Sequence, residues 1–149
     1  MDNIKTINNE MAVADCQLSP EQIQKAAAAG FKSILNLRDS QEEGYLANEA
    51  EQAEAAGLEY ANIPVKPNAL DDNLADEVLA KIDRLPKPIL SHCKSGLRSG
   101  LFALMHDATR NDLSIEMALE KGENLGIPVE TNPKMQAFLE NYISNHSAA

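Results

Sequence analysis

PILSHCKSGLRSGLFALMHDATR, residues 88–110, decides how this chain folds. Pro88 to His92 is a short apolar run that follows a proline pair, the form of a buried strand. Ser99 to about Arg110 repeats apolar residues at helical spacing and predicts a helix. Residues 93–98 between them then make a tight turn from a strand into a helix N-terminus. That joint belongs to α/β architecture.

The rest of the chain agrees with this reading. MAVADCQ (11–17) predicts a weak edge strand, with Val13 its only β-branched residue. SPEQ (19–22) opens a helix, with Ser19 as cap, Pro20 at the first helical position and Gln22 completing a capping box, and Gly30 ends it. FKSILNL (31–37) predicts a buried strand and LANEAEQAEAAG (46–57) a second helix. LEYANIPV (58–65) alternates like a strand until Pro64 closes it. Asp71 or Asp72 caps a helix carrying Leu74, Val78, Leu79, Ile82 and Leu85. Beyond Arg110, SIEMALEKG (114–122) and NPKMQAFLENYI (132–143) predict two further helices, capped by Ser114 and Asn132. Residues 1–9 and 144–149 are expected to be flexible. The expected fold is one α/β domain over 1–149, a mainly parallel sheet of four or five strands flanked by helices. Ligands in such sheets sit at the carboxyl ends of strands, where Cys93 falls.

Composition narrows the function. At 149 residues, 44% hydrophobic and 24% charged, the chain suits a single soluble globular domain. A net charge of −10 argues against nucleic acid as a partner, because phosphate backbones are held by clustered Lys and Arg. One small anion on a locally positive loop remains compatible with it. Cys16 and Cys93 form no disulfide framework or metal-ligand spacing, so neither a metal nor a cofactor is expected. No apolar run approaches the roughly 20 residues of a membrane span. The polar start, MDNIKTINNE, lacks a signal-peptide pattern, so a cytoplasmic location is expected, or a periplasmic one if a leader has been removed.

The turn itself carries the chemistry. Backbone N–H groups of residues 94–98 (Lys94, Ser95, Gly96, Leu97 and Arg98) lie at a helix N-terminus, where unpaired donors and the helix dipole favour an anion. The same field stabilises negative charge on the Cys93 sulfur. Gly96 permits the backbone conformation a cradle needs. Arg98 offers a planar fork for two oxygens of a tetrahedral oxyanion. Ser99 can hydrogen-bond the sulfur when it leaves, and His92 can brace the loop backbone. A lone cysteine beside a glycine is commonly a buried small hydrophobe, but nucleophile, glycine, cation and hydroxyl together favour an active site.

The loop resembles the signature of cysteine-based tyrosine and dual-specificity phosphatases. More closely, the chain resembles the bacterial beta-lactamase-hydrolase-like protein, phosphatase-like domain family. The similarity covers most of residues 10–125 and rests on CQLSPEQI, GFKSILNLRDSQEEG, AAGLEYANIPV and PILSHCKSGLRS. It implies a dual-specificity-phosphatase-like fold, Cys93 as nucleophile, Arg98 with the loop amides as anion clamp, and a small anionic substrate. One departure matters. Phosphatases at large place one more residue between cysteine and arginine than the four found here, Lys94 to Leu97. Rhodanese-type sulfurtransferases resemble this shorter loop, and the bacterial family shares it. Two enzymatic readings therefore stay open, phosphoester hydrolysis and transfer of sulfane sulfur through a Cys93 persulfide. A third is a silent anion-binding module.

A phosphatase also needs a proton donor for the leaving oxygen. Asp72 is the preferred candidate, with Asp71 beside it. Arg38 and Asp39 end the second predicted strand on the same sheet edge as Cys93; Arg38 would add positive charge for a substrate and Asp39 would orient Arg98. Cys16 is a possible resolving thiol but reads better as a packed one. His106 reads as structural, His146 as part of a fraying tail, and Met105, Met117 and Met135 as core filler.

Overall fold

The apolar run at 88–92 forms the middle of the sheet. The computed structural model describes residues 3–146. Strands β1 (Ile4–Asn8), β2 (Met11–Ala14), β3 (Ser33–Asn36), β4 (Glu59–Asn62) and β5 (Ile89–His92) pair in the order β1-β2-β5-β3-β4. All pairs are parallel except β1 with β2. The register sets His92 level with Ala14 of β2 and with Asn36 of β3. Three strands thus end side by side where the cysteine loop begins.

Helices α1 (Pro20–Ala28) and α2 (Glu49–Ala55) cover one face. Helices α3 (Asp72–Arg84), α4 (Leu97–Arg110), α5 (Ile115–Leu125) and α6 (Pro133–His146) form the other layer. Strand alternation divides the core accordingly. Met11, Val13, Leu35 and Ile89 face α3–α6, whereas Ala12, Ala14, Ile34 and Leu90 face α1 and α2. Among the described residues, no helix is long and apolar enough to cross a membrane.

The local signals explain most helix starts. Gln22 N–H donates to Ser19 Oγ at 3.1 Å and Ser19 N–H to Gln22 Oε1 at 2.8 Å, the expected capping box. Asp71 caps α3, its Oδ1 accepting from Leu74 N–H at 2.7 Å.

Several expectations need correction. Residues 4–8, expected to be flexible, form β1. Ile7 is its one buried residue, because an edge strand can be held by ladder hydrogen bonds with little apolar surface. With β1 outside it, β2 is an internal strand and not an edge. Helix α4 starts at Leu97, two residues before Ser99, so Arg98 already lies in its first turn. Gly122 does not end α5; it is buried against Leu104, and Gly126, at φ 75°, makes the left-handed cap. Helix α6 continues to His146, whose ring stacks on Tyr142 at 3.8 Å instead of fraying; residues 147–149 lie outside the described part. Met117 is 53% exposed and not core filler, while Met105 and Met135 are buried.

Candidate active site

Cys93 follows the last residue of β5 and is 1% exposed. Lys94 and Ser95, on the outside of the turn, are exposed, and Leu97 is half-buried. Gly96 turns the chain inward at φ 92°, ψ −6°, a left-handed conformation that directs its N–H at the sulfur. That N–H donates to Cys93 Sγ at 3.1 Å. A Cβ on Gly96 would lie 2.9 Å from Asp15 Cα, so close packing against the end of β2 also requires glycine. Ser99 Oγ stands 3.5 Å from Cys93 Sγ and 3.3 Å from the Gly96 carbonyl. The sulfur is therefore met by an amide and a hydroxyl from α4's first turn.

Arg98 is held on one side. Its Nη1 donates to Glu42 Oε2 at 2.7 Å and to the Val65 carbonyl at 2.8 Å, and its Nη2 donates to Glu42 Oε1 at 2.9 Å. Glu42 thus occupies the end-on edge of the guanidinium. Among the described residues no oxygen or nitrogen accepts from Nε–H or the outer Nη2–H, which make up its side-on edge, and the Cys93 sulfur is a further side-chain partner of the guanidinium. The Glu42 hydrogen bonds push the Arg98 pKa up against burial, and the neighbouring Cys93 sulfur adds to that rise. Its hydrogen bond to Arg98 holds the Glu42 carboxyl down at about 2, against desolvation and with help from Asp39 N–H and Arg38. A cavity of about 350 Å³ opens beside this pair, lined by Asp39, Glu42, Lys66, Pro67, Asn68 and Arg98. Pairs of this kind are fixed more by geometry than by net charge.

The family described as "Beta-lactamase hydrolase-like protein, phosphatase-like domain" matches residues 3–109, which run from before β1 through the loop and most of α4. The chain belongs to this family. A beta-lactamase hydrolase-like protein of Xylella fastidiosa is 33% identical over 126 residues, covering 83% of the chain but only 28% of that relative. This phosphatase-like domain therefore spans little more than a quarter of that relative's length. A DUF442 protein from Shewanella putrefaciens CN-32 has the same fold, with a TM-score of 0.82 and 18% identity, over 97% of the chain and 91% of its own. P. aeruginosa TpbA, in a Cys-to-Ser variant bound to phosphotyrosine, superposes with a TM-score of 0.73 at 17% identity, over 96% of this chain and 91% of that one.

Within the phosphatase-like domain, the predicted residues separate into two groups. Cys93, Gly96, Arg98 and Ser99 converge. His92 sits behind them, its Nδ1 3.3 Å from the Cys93 carbonyl and its Nε2 2.6 Å from Glu49 Oε2. Arg38 does not offer its charge to the cavity; it is 1% exposed and bonded to Glu42, Gln17 and the Glu43 carbonyl. Asp39 does not orient Arg98, because Glu42 does; Asp39 pairs with Lys66 at 3.4 Å across the cavity wall. Asp72 is exposed at the start of α3, and its charge acts on Tyr142 of α6. Cys16 is half-buried, a free thiol facing the side-chain amides of Asn3 and Gln22. His106 binds Asp83 at 2.7 Å, a link between α3 and α4.

Sequence reasoning missed Gln17, Glu42 and Glu49. Glu42 and Gln17 lie in the segments that follow β3 and β2, at the carboxyl edge where ligands collect. Glu49, four residues before buried Ala53, shares the inward stripe of α2 and is itself 1% exposed. A carboxylate on an inward stripe signals a buried polar partner, here His92.

Proposed function

We infer that this chain is a cysteine-dependent phosphatase-like hydrolase acting on a small anionic phosphoester. The observation that carries the reading is Cys93 Sγ against the Gly96 amide, beside an Arg98 whose side-on edge is left for an oxyanion. In the first step the Cys93 thiolate forms a bond to phosphorus as the phosphorus–oxygen bond of the ester breaks. Arg98 and the amides of residues 94–98 balance the charge on the equatorial oxygens, and the leaving oxygen takes a proton from Asp72. Water then attacks the phosphocysteine, releasing phosphate and the thiolate, which Ser99 Oγ receives by hydrogen bond. The phosphotyrosine held by TpbA supports an aryl phosphate as the first substrate to try.

A second reading is sulfur transfer, and one feature favours it. The four-residue spacing puts Arg98 in the first turn of α4, around a thiol that is 1% exposed, a ring suited to one added sulfur. There the thiolate takes the sulfane sulfur of thiosulfate and releases sulfite; cyanide then removes that sulfur as thiocyanate and restores the thiolate.

A paired assay distinguishes them: an aryl phosphate, and thiosulfate with cyanide, each on wild type and Cys93→Ser. Steady phosphate release that disappears in Cys93→Ser, without thiocyanate, is the expected result. Thiocyanate without phosphate overturns it in favour of sulfur transfer. Turnover of neither leaves the anion-binding module. Asp72→Asn is expected to slow alkyl phosphates more than aryl ones, because a good leaving group needs little protonation.

A further inference from the structure

Arg38 is a charged side chain with almost no access to solvent, and its hydrogen bonds form a pattern. Its Nε donates to Glu42 Oε1 at 3.1 Å, its Nη1 to Gln17 Oε1 at 2.6 Å and its Nη2 to the Glu43 carbonyl at 2.5 Å. Gln17 Nε2 donates to Glu49 Oε1 at 2.6 Å, and Glu49 Oε2 meets His92 Nε2 at 2.6 Å. From the other end, Glu42 binds Arg98 through both carboxylate oxygens. An unbroken path of side chains thus leaves the loop at His92 and returns to it at Arg98, with Arg38 at its centre.

The path has a geometric consequence. Glu42 Oε1 is shared between Arg38 Nε and Arg98 Nη2, while Oε2 is shared between Arg98 Nη1 and the Asp39 N–H at 2.8 Å. Arg38 and the Asp39 amide therefore fix one oxygen each, and together they set the plane of the carboxylate. That plane sets the rotation of the guanidinium bonded to it. We propose that Arg38 is a positioning residue which, through Glu42, turns Arg98 so that its side-on edge faces the oxyanion at Cys93. The proposal rests on the reading of Arg98 as an anion clamp. It goes beyond the burial of a charge with its partners, because it predicts loss of anion binding in a loop that is otherwise intact.

The test uses tungstate as a tetrahedral oxyanion, an aryl phosphate for turnover, and iodoacetamide as a probe of Cys93. Lysine at position 38 keeps the charge but reaches fewer acceptors. In Arg38→Lys, tungstate affinity and kcat are expected to fall together by about tenfold, as small misplacements of a clamp do. Alkylation of Cys93 is expected to stay within about twofold of wild type, since the sulfur's own contacts remain. Because Arg38 acts through Glu42, Arg38→Lys/Glu42→Gln should bind tungstate no more weakly than Glu42→Gln alone, within about twofold. Additive losses, an unchanged affinity in Arg38→Lys, or an equal fall in alkylation overturns the proposal. If Arg38→Lys does not fold by circular dichroism, Gln17→Met, which releases Arg38 Nη1, decides in its place: weaker tungstate binding with unchanged alkylation sustains the proposal, and unchanged binding overturns it. A wild type that binds no tungstate would instead remove the anion-clamp reading itself.

Discussion

Glu42 is the residue on which the electrostatics of the site turn. Its carboxyl, held at about 2 chiefly by Arg98, stays ionised far below the ordinary value of 4.5. A carboxylate with a depressed folded pKa contributes stability in full above its unfolded pKa and loses it as pH falls through the folded one. The stability gap between wild type and Glu42→Gln should therefore be constant above about pH 5 and shrink towards pH 2. Denaturant melts of both proteins across that range check it; a gap independent of pH would sink the ion-pair account. The residues proposed to carry the chemistry, Cys93, Arg98 and Ser99, converge on one turn, and they were legible in the sequence because each brings a functional group to a recognisable turn. Their partners were not. Glu42 and Gln17 look like surface polar residues until the parallel register brings three strand ends together. Arg38 looks like a substrate-facing cation until its burial is seen.

At the scale of elements, the turn between β5 and α4 is the sensitive joint. Gly96 combines a φ of 92° with a position where an added Cβ would meet backbone, Asp15 Cα, at 2.9 Å. Neither demand can be met by rotating a side chain. Gly96→Ala is expected to cost about 1–3 kcal/mol in thermal or denaturant unfolding. It should also lower turnover, because the Gly96 N–H is the amide on Cys93 Sγ. Full stability together with full turnover would contradict this. Element type was readable wherever a cap, a glycine stop or a proline was present, as at Ser19, Asp71 and Ser114. Element ends were harder. Helix α4 gains Leu97 and Arg98 because its cap is the backbone of a left-handed glycine, with no side-chain cap bond to announce the start. Strand β1 escaped notice because its role is to pair with β2, a matter of main-chain hydrogen bonds that IKTIN does not advertise.

For the molecule as a whole, one buried carboxylate connects elements that are distant in sequence. Asp107 of α4 accepts from Asn8 at the end of β1 at 2.9 Å, from Asn111 at 2.7 Å and from Lys121 of α5 at 2.5 Å. Desolvation works against its charge, but these donors prevail and its pKa is lowered. Asp107→Asn keeps the shape and removes the charge, so Lys121 loses its counterion. The expected loss is about 1–3 kcal/mol of global stability, the scale for a charged hydrogen bond that is partly screened by solvent. Turnover at a temperature where the variant is folded should be unaffected, and a change in kcat there would show that this junction reaches the loop. The overall α/β layering could be read from the order of strands and helices, whereas contacts such as this one depend on the finished packing. The alternation of His92 and Cys93 has a further effect. His92 points to the α1–α2 side, where Glu49 receives it, and Cys93 points into the layer of α3–α6. The sheet acts as a partition, with the Cys93 sulfur in one compartment and part of its scaffolding in the other. Under the proposed function, side chains packed around the sulfur can accordingly be redesigned for a different substrate while the wiring behind the partition is left in place.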